Sequence, residues 1–242
     1  MNTLARIIIT SIVSILMLSC NFSMHIGEGI DGNGNVVNTD RDISDAFSSI
    51  KVSQGLELFI TQSKDLGLNV EADENLQEVI KTEVENGVLK IYTTDNIRRA
   101  SSKKVMLSFD DITSIKATSG SSVKTTNTIE IDELEVNSTS GSNLNLDIKT
   151  TTLSCKSTSG SHISLSGETQ NLTLKATSGS HIKASDLISQ TSNVKATSGA
   201  HIKVNTLKQL TANATSGANI RYSGNPKKIS KSDSSSGSVK QQ

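Results

Sequence analysis

Apolar and polar residues alternate with a period of two through most of the chain after residue 47, and from residue 113 onward the alternation itself recurs. The tripeptide Thr-Ser-Gly begins at Thr118, Thr139, Thr158, Thr177, Thr197 and Thr215, at spacings of 21, 19, 19, 20 and 18 residues. A degenerate copy, Ser235-Ser236-Gly237, follows 20 residues later. Three residues before each threonine stand Ile115, Val136, Cys155, Leu174, Val194 and Ala212. Between that column and the threonine lie Lys116, Asn137, Lys156, Lys175, Lys195 and Asn213. Such alternation makes a strand with one buried face. Five residues after each threonine stand Val123, Leu144, Ile163, Ile182, Ile202 and Ile220, which marks a second strand beyond a corner. The corner is the Ser-Gly pair, where glycine supplies backbone angles that other residues resist. Ile129, Leu187 and Leu207 are expected to close the coils on the third side.

A unit of about 20 residues cannot bury its apolar face alone, so neighbouring units must stack. The predicted fold is all-β: a right-handed, single-stranded parallel β-helix with coils about 4.8 Å apart. A narrow lumen suits Ile, Leu, Val and Ala, which fits a chain with four Phe, two Tyr and no Trp. Residues 113–242 form the regular coils of a domain spanning 43–242, and residues 43–112 read as irregular first coils. The short β-rich segments there are 50–52, 56–60, 68–70, 88–91 and 105–107, with a helical turn expected at 74–79.

The first residues add an address. Arg6 precedes an apolar run from Ile7 to Leu18, too short for a membrane-spanning helix, which needs roughly 20 residues. A basic residue, a short apolar stretch and small residues are the layout of a secretory signal peptide. The run ends Met17-Leu18-Ser19-Cys20, which resembles a bacterial lipobox, with methionine where leucine is usual. The expectation is a signal peptide over 1–19, a lipidated Cys20 holding the protein to a membrane of the cell envelope, the outer membrane above all, and a tether over 20–42. Several acyl chains, at roughly 0.8 kcal/mol per buried CH₂, would anchor it firmly.

Charge is balanced, with 24 basic and 24 acidic residues, which argues against a nucleic-acid partner. Cys155 is the one cysteine besides Cys20, so no internal disulfide is expected. It falls in the inward column, as a small buried hydrophobe rather than a nucleophile. His162, His181 and His201 share one offset, four after the threonine, in a column that also holds Ser122, Asn143 and Asn219. Stacked imidazoles could hold zinc or change surface charge near neutral pH. The adjacent inward isoleucines turn them to solvent, and an exposed polar ladder without a metal is the better reading. Hydroxyl rows at the corners are best read as satisfying backbone groups. A β-helix polysaccharide lyase or hydrolase needs converging carboxylates. Asp147, Glu168 and Asp186 do not share a column, and Glu130, Asp132, Glu133 and Glu135 read as a solvated edge.

Gly32-Asn33-Gly34-Asn35-Val36-Val37, Phe47-Ser48-Ser49-Ile50-Lys51-Val52, Gly87-Val88-Leu89-Lys90-Ile91, the serial Ser-Gly corners and Gly237-Ser238-Val239 carry a resemblance. Over roughly residues 30–240 the sequence is similar to the head GIN domain family, labelled as autotransporter adhesins and found in Gram-negative envelope lipoproteins. The resemblance implies a right-handed β-helix and carries over no catalytic residue and no cofactor. Together these features predict a non-catalytic envelope lipoprotein that presents a rigid rod to a protein or glycan. A carbohydrate-active enzyme and an envelope sensor or regulator are the alternatives, and the oligomeric state stays open.

Overall fold

A computed structural model describes residues 29–43, 45–234 and 236–242. The signal peptide and Cys20 lie outside these residues. Strands dominate and stack into a β-solenoid of about seven turns, with coils of roughly 19 residues.

The repeat columns are in register. Ile115, Val136, Cys155, Leu174, Val194 and Ala212 pair in succession and are buried, while Lys156, Lys175 and Lys195 pair beside them and are exposed. The second column, Val123 to Ile220, is buried as well and continues to Val239. Inward side chains therefore fill the lumen, and each strand of the regular coils short of the last coil is bonded to the coils before and after it.

Each Thr-Ser-Gly-Ser corner is a type I′ turn, in which both central residues are left-handed. At Ser178 φ is +54° and at Gly179 +67°. The sequence pattern points to glycine alone for the left-handed angle. The serine shares it, at a cost of about 1 kcal/mol. Ladder bonds offset that strain: the Gly179 N–H donates to the Ser198 carbonyl of the next coil at 3.0 Å. The hydroxyl of Ser180 donates to the Ser157 carbonyl at 2.7 Å and accepts the Thr177 N–H at 3.1 Å. Ala200 and Ala218 take that position in the following coils and are buried there.

On the third side Ile129, Ile148 and Leu187 point inward, but Leu207 does not; it is 41% exposed. The coil between Thr197 and Thr215 is short, and the register slips between Ala184 and Ile188. Thr206 consequently occupies the lumen, where its hydroxyl donates to Ser192 at 2.7 Å and Ser192 meets Ser189 at 2.6 Å.

Residues 43–112 depart from the expected series of coils. Ser49–Val52 and Glu57–Gln62 make one coil, with a corner at Gln54-Gly55 whose φ values are +59° and +71°. That coil is stacked out of chain order. On one side it pairs with Ser114–Ala117 and Ser122–Thr125, and on the other with Val88–Thr93 and Lys103–Phe109. Below that layer the pairing turns antiparallel. Ile80–Glu85 returns through the Asn86-Gly87 hairpin onto Val88–Thr93, and Gly67–Asp73 lies against Lys103–Phe109. A 3-10 turn at Glu74–Leu76 buries Leu76 within the segment where a helical turn was expected.

Part of the stretch read as tether belongs to the body. Ile30–Asp31 pairs with Ile97–Arg99, and Val36–Asp40 pairs antiparallel with Gly67–Asp73. Asp73, fully buried, accepts the N–H groups of Gly34, Ser101 and Ser102 at 2.9–3.0 Å. A side chain at Gly32 would meet the Asp73 carboxylate at 1.9 Å, so glycine is required there. At the other end Lys228–Ser234 pairs with the preceding coil alone. Its inward positions hold Ile229, Lys231 and Asp233, opposite Leu210, Ala212 and Ala214, and Lys231 sits 4.6 Å above the Tyr222 ring. Charge at inward positions blunts that edge against further strand pairing.

Candidate binding surfaces

The regular coils present the same outward residue types at the same offsets, so single side chains become columns along the rod. His162, His181 and His201 form one column, bounded by Asn143 and Asn219 as its in-register neighbours. Their ring centroids are 5.8 and 5.0 Å apart, with interplanar angles of 28° and 18°. Rings stacked face to face aim their nitrogens side by side rather than at a common point. Among the described residues no group of three His, Cys, Asp or Glu side chains is placed to hold a metal ion. Burial, then the neighbouring His181 and Lys183, holds the His162 imidazole below its ordinary value.

Two cationic columns flank the corner. Lys156, Lys175 and Lys195 precede it; Lys183, Lys203, Arg221 and Lys240 follow it, each set in consecutive register and exposed. Between them run the half-buried threonines and exposed serines of the corners, and then the histidine column. Lys183 is paired with Asp186 at 2.7 Å. Among the described residues the other six have no carboxylate partner.

A groove of about 640 Å³ lies on the third side, lined by Asp110, Asp111, Glu130, Asp132, Lys149 and Glu168 among others. Glu130, Lys149 and Glu168 are in register, with Lys149 paired to Glu130 at 3.4 Å. The Gln62 amide crosses from the out-of-order coil, donating to the Asp110 and Glu130 carbonyls at 3.0 Å and accepting the Glu130 N–H at 2.7 Å. Glu130 and Asp132 are exposed, as expected of a solvated edge. They line a groove because residues far back in the chain supply its other wall. Of the carboxylates weighed for catalysis, Glu168 faces this groove, Asp147 accepts the Thr128 and Ser166 hydroxyls, and Asp186 holds Lys183. Cys155 is buried, and burial pushes its thiol far above the ordinary value, which leaves no thiolate for nucleophilic work.

Residues 46–226 match the family described as "Putative auto-transporter adhesin, head GIN domain". The chain belongs to the head GIN domain family. A crystal structure of a "putative adhesin" from Bacteroides fragilis superposes with a TM-score of 0.80 at 19% identity, covering 88% of this chain and 100% of that one. A "putative lipid binding protein" from Parabacteroides distasonis gives a TM-score of 0.74 at 24% identity, covering 89% and 100%. A "putative adhesin" from Parabacteroides merdae gives 0.71 at 20% identity, covering 88% and 98%. At these identities the likeness shows that the head GIN fold is shared. No protein of curated function matches the sequence.

Proposed function

We propose that the chain is an exported, lipid-anchored, non-catalytic binding module that holds a rigid β-solenoid at the cell envelope and engages a protein or glycan through its side-chain columns. The observation that carries this reading is the repetition of outward polar residues in strict register over consecutive coils, a surface suited to an extended ligand. Adhesin-named neighbours with the same fold support it.

The anchor rests on Met17-Leu18-Ser19-Cys20. The Cys20→Ser chain is expected to lose labelling by a fatty-acid analogue and to leave the membrane fraction. Labelling equal to wild type would remove the lipoprotein reading.

The acidic groove favours a second reading, a carbohydrate-active site. A glycan array incubated with the full chain separates the two, since it reports retention and cleavage together. Retention of a glycan class without new reducing ends or unsaturated products is the expected result. Cleavage that disappears in Glu168→Gln would replace the binding module with an enzyme.

A further inference from the structure

Charge is distributed unevenly along the rod although the total is balanced. From residue 187 onward the chain has eight basic residues (Lys195, Lys203, Lys208, Arg221, Lys227, Lys228, Lys231 and Lys240) against one acidic, Asp233. The solenoid converts part of this run into geometry. Lys156, Lys175 and Lys195 stand one coil apart on one flank of the corner. Lys183, Lys203, Arg221 and Lys240 stand one coil apart on the other. The interval is the strand spacing, about 4.8 Å. Like charges held that close repel. No carboxylate column has been interleaved to relieve them. Lys183 alone is relieved, by Asp186; the other six form an unrelieved linear array of cations, the complement of a linear array of anions.

We infer that this corner ridge binds a linear polyanionic glycan lying along the solenoid axis, its acidic groups over the two lysine columns and its hydroxyls over the Thr-Ser rows between them. The inference rests on the binding-module reading above and names its ligand class. Three features favour a glycan over other polyanions. First, the rows between the columns are hydroxyl-bearing, with Thr177-Ser178 and Thr197-Ser198 repeated in each coil, and hydroxyls pair with sugar hydroxyls. Second, the cation interval is close to the length of one sugar unit in an extended chain, so successive acidic groups could meet successive coils. Third, the ridge lacks what other polyanions use. The exposed large apolar residues Val36, Leu66, Ile188, Leu207 and Ile229 all lie off it, so nothing there would enter a lipid layer. Tyr222 is buried in the lumen, and the one ring column on the ridge, His162, His181 and His201, is stacked on itself at 5.8 and 5.0 Å, so its ring faces cover one another rather than stand open to a base.

Each exposed pair contributes little, so affinity comes from several pairs formed at once and falls as salt screens them. The test uses the full-length chain in neutral detergent, with polygalacturonate and heparin as probes and dextran as the neutral control. Binding to both acidic polymers, but not to dextran, is expected, with loss as salt is raised. Lys175→Gln, Lys195→Gln and Lys203→Gln together are expected to weaken binding by about tenfold or more. The same charge removed at Lys64, Lys81 and Arg99 is expected to leave it unchanged. Thermal melts of both triple variants matching wild type exclude misfolding, since the ridge lysines are exposed. Binding that survives the ridge triple variant overturns the ridge. Equal, ridge-dependent binding to single-stranded DNA or to phosphatidylglycerol vesicles overturns the glycan assignment. No binding to either acidic polymer, with retention of another glycan on the array, overturns this inference and leaves the binding module standing. No binding to either polymer and no retention on the array overturns this inference together with the glycan half of the binding-module reading.

Discussion

Leu174→Lys is expected to unfold the regular coils, while Lys175→Leu, one residue later, is expected to leave them intact. Leu174 is wholly buried, in register with Cys155 below and Val194 above. A lysine there would place a charge in a lumen whose strands offer it no carboxylate. The cost is several kcal/mol, a large part of the roughly 5–15 kcal/mol that holds a typical domain. Lys175 is exposed between Lys156 and Lys195, so leucine there also removes a repulsive neighbour from the column. Its effect should stay within about 0.5 kcal/mol. The pair Val194→Lys and Lys195→Leu should repeat the contrast one coil later. Melts followed by β-sheet circular dichroism decide it: early melting of the Lys175 and Lys195 variants, with the Leu174 and Val194 variants unaffected, would put the register out by one residue.

The second large effect is expected at Asp73. Its carboxylate gathers the N–H groups of Gly34, Ser101 and Ser102, joining the first strands to the segment that enters Lys103–Phe109. Burial alone would raise its pKa, but the Gly34, Ser102 and Ser101 donors outweigh burial and hold it below the ordinary aspartate value. Asp73→Ala leaves those donors without their acceptor and should cost about 3 kcal/mol. Asp73→Asn is nearly isosteric, yet its NH₂ must face either Gly34 or the Ser101–Ser102 pair, so it should fall between. The sign of the pH effect follows. A depressed pKa means that the folded state takes up the proton less readily than the unfolded chain. The stabilisation is therefore present above the ordinary aspartate pKa, about 3.9, and is lost as pH falls through the lower folded value. Wild type should lose stability on acidification from pH 7 to about pH 3, and Asp73→Asn should lose less. Hydrogen exchange confined to residues 30–40 and 67–109 would localise the damage. Equal acid sensitivity in wild type and Asp73→Asn would refute this account.

The regular coils were legible because their repeat fixes register without any knowledge of partners: Leu174 and Lys175 can be sorted by counting from Thr177. Where coil length changes, counting fails, and Leu207 was assigned inward because nothing local marks the slip that puts Thr206 there. In residues 43–112 the alternation of Leu68, Val70 and Ala72 is the same whether the neighbour runs parallel or antiparallel, so alternation alone could not distinguish a coil from a hairpin. One local signal was present: Asn86-Gly87 between alternating strands is a strong hairpin mark. The histidine column was legible from a shared offset, and so was the first lysine column. The second, from Lys183 to Lys240, follows the second apolar column by one residue and becomes a surface only once strands are stacked. The groove was illegible, since Gln62, Asp110 and Glu130 meet through out-of-order pairing.

That pairing also dictates an order of events in time. In a regular solenoid folding can nucleate in any coil and propagate to its sequence neighbours. Here the coil of Ser49–Val52 and Glu57–Gln62 has its two faces covered by segments that both come later in the chain, Val88–Phe109 and Ser114–Thr125. The first coil made is therefore the one that waits longest with open edges. It cannot be finished until residue 125 is available, so the slow, long-range closures are concentrated in the first half of the protein. Everything after residue 129 can then zip coil by coil onto a completed base. Chains shortened from the C-terminal end should keep that base, whereas a chain ending before residue 113 would leave one edge of its first coil bare and open to pairing with another molecule.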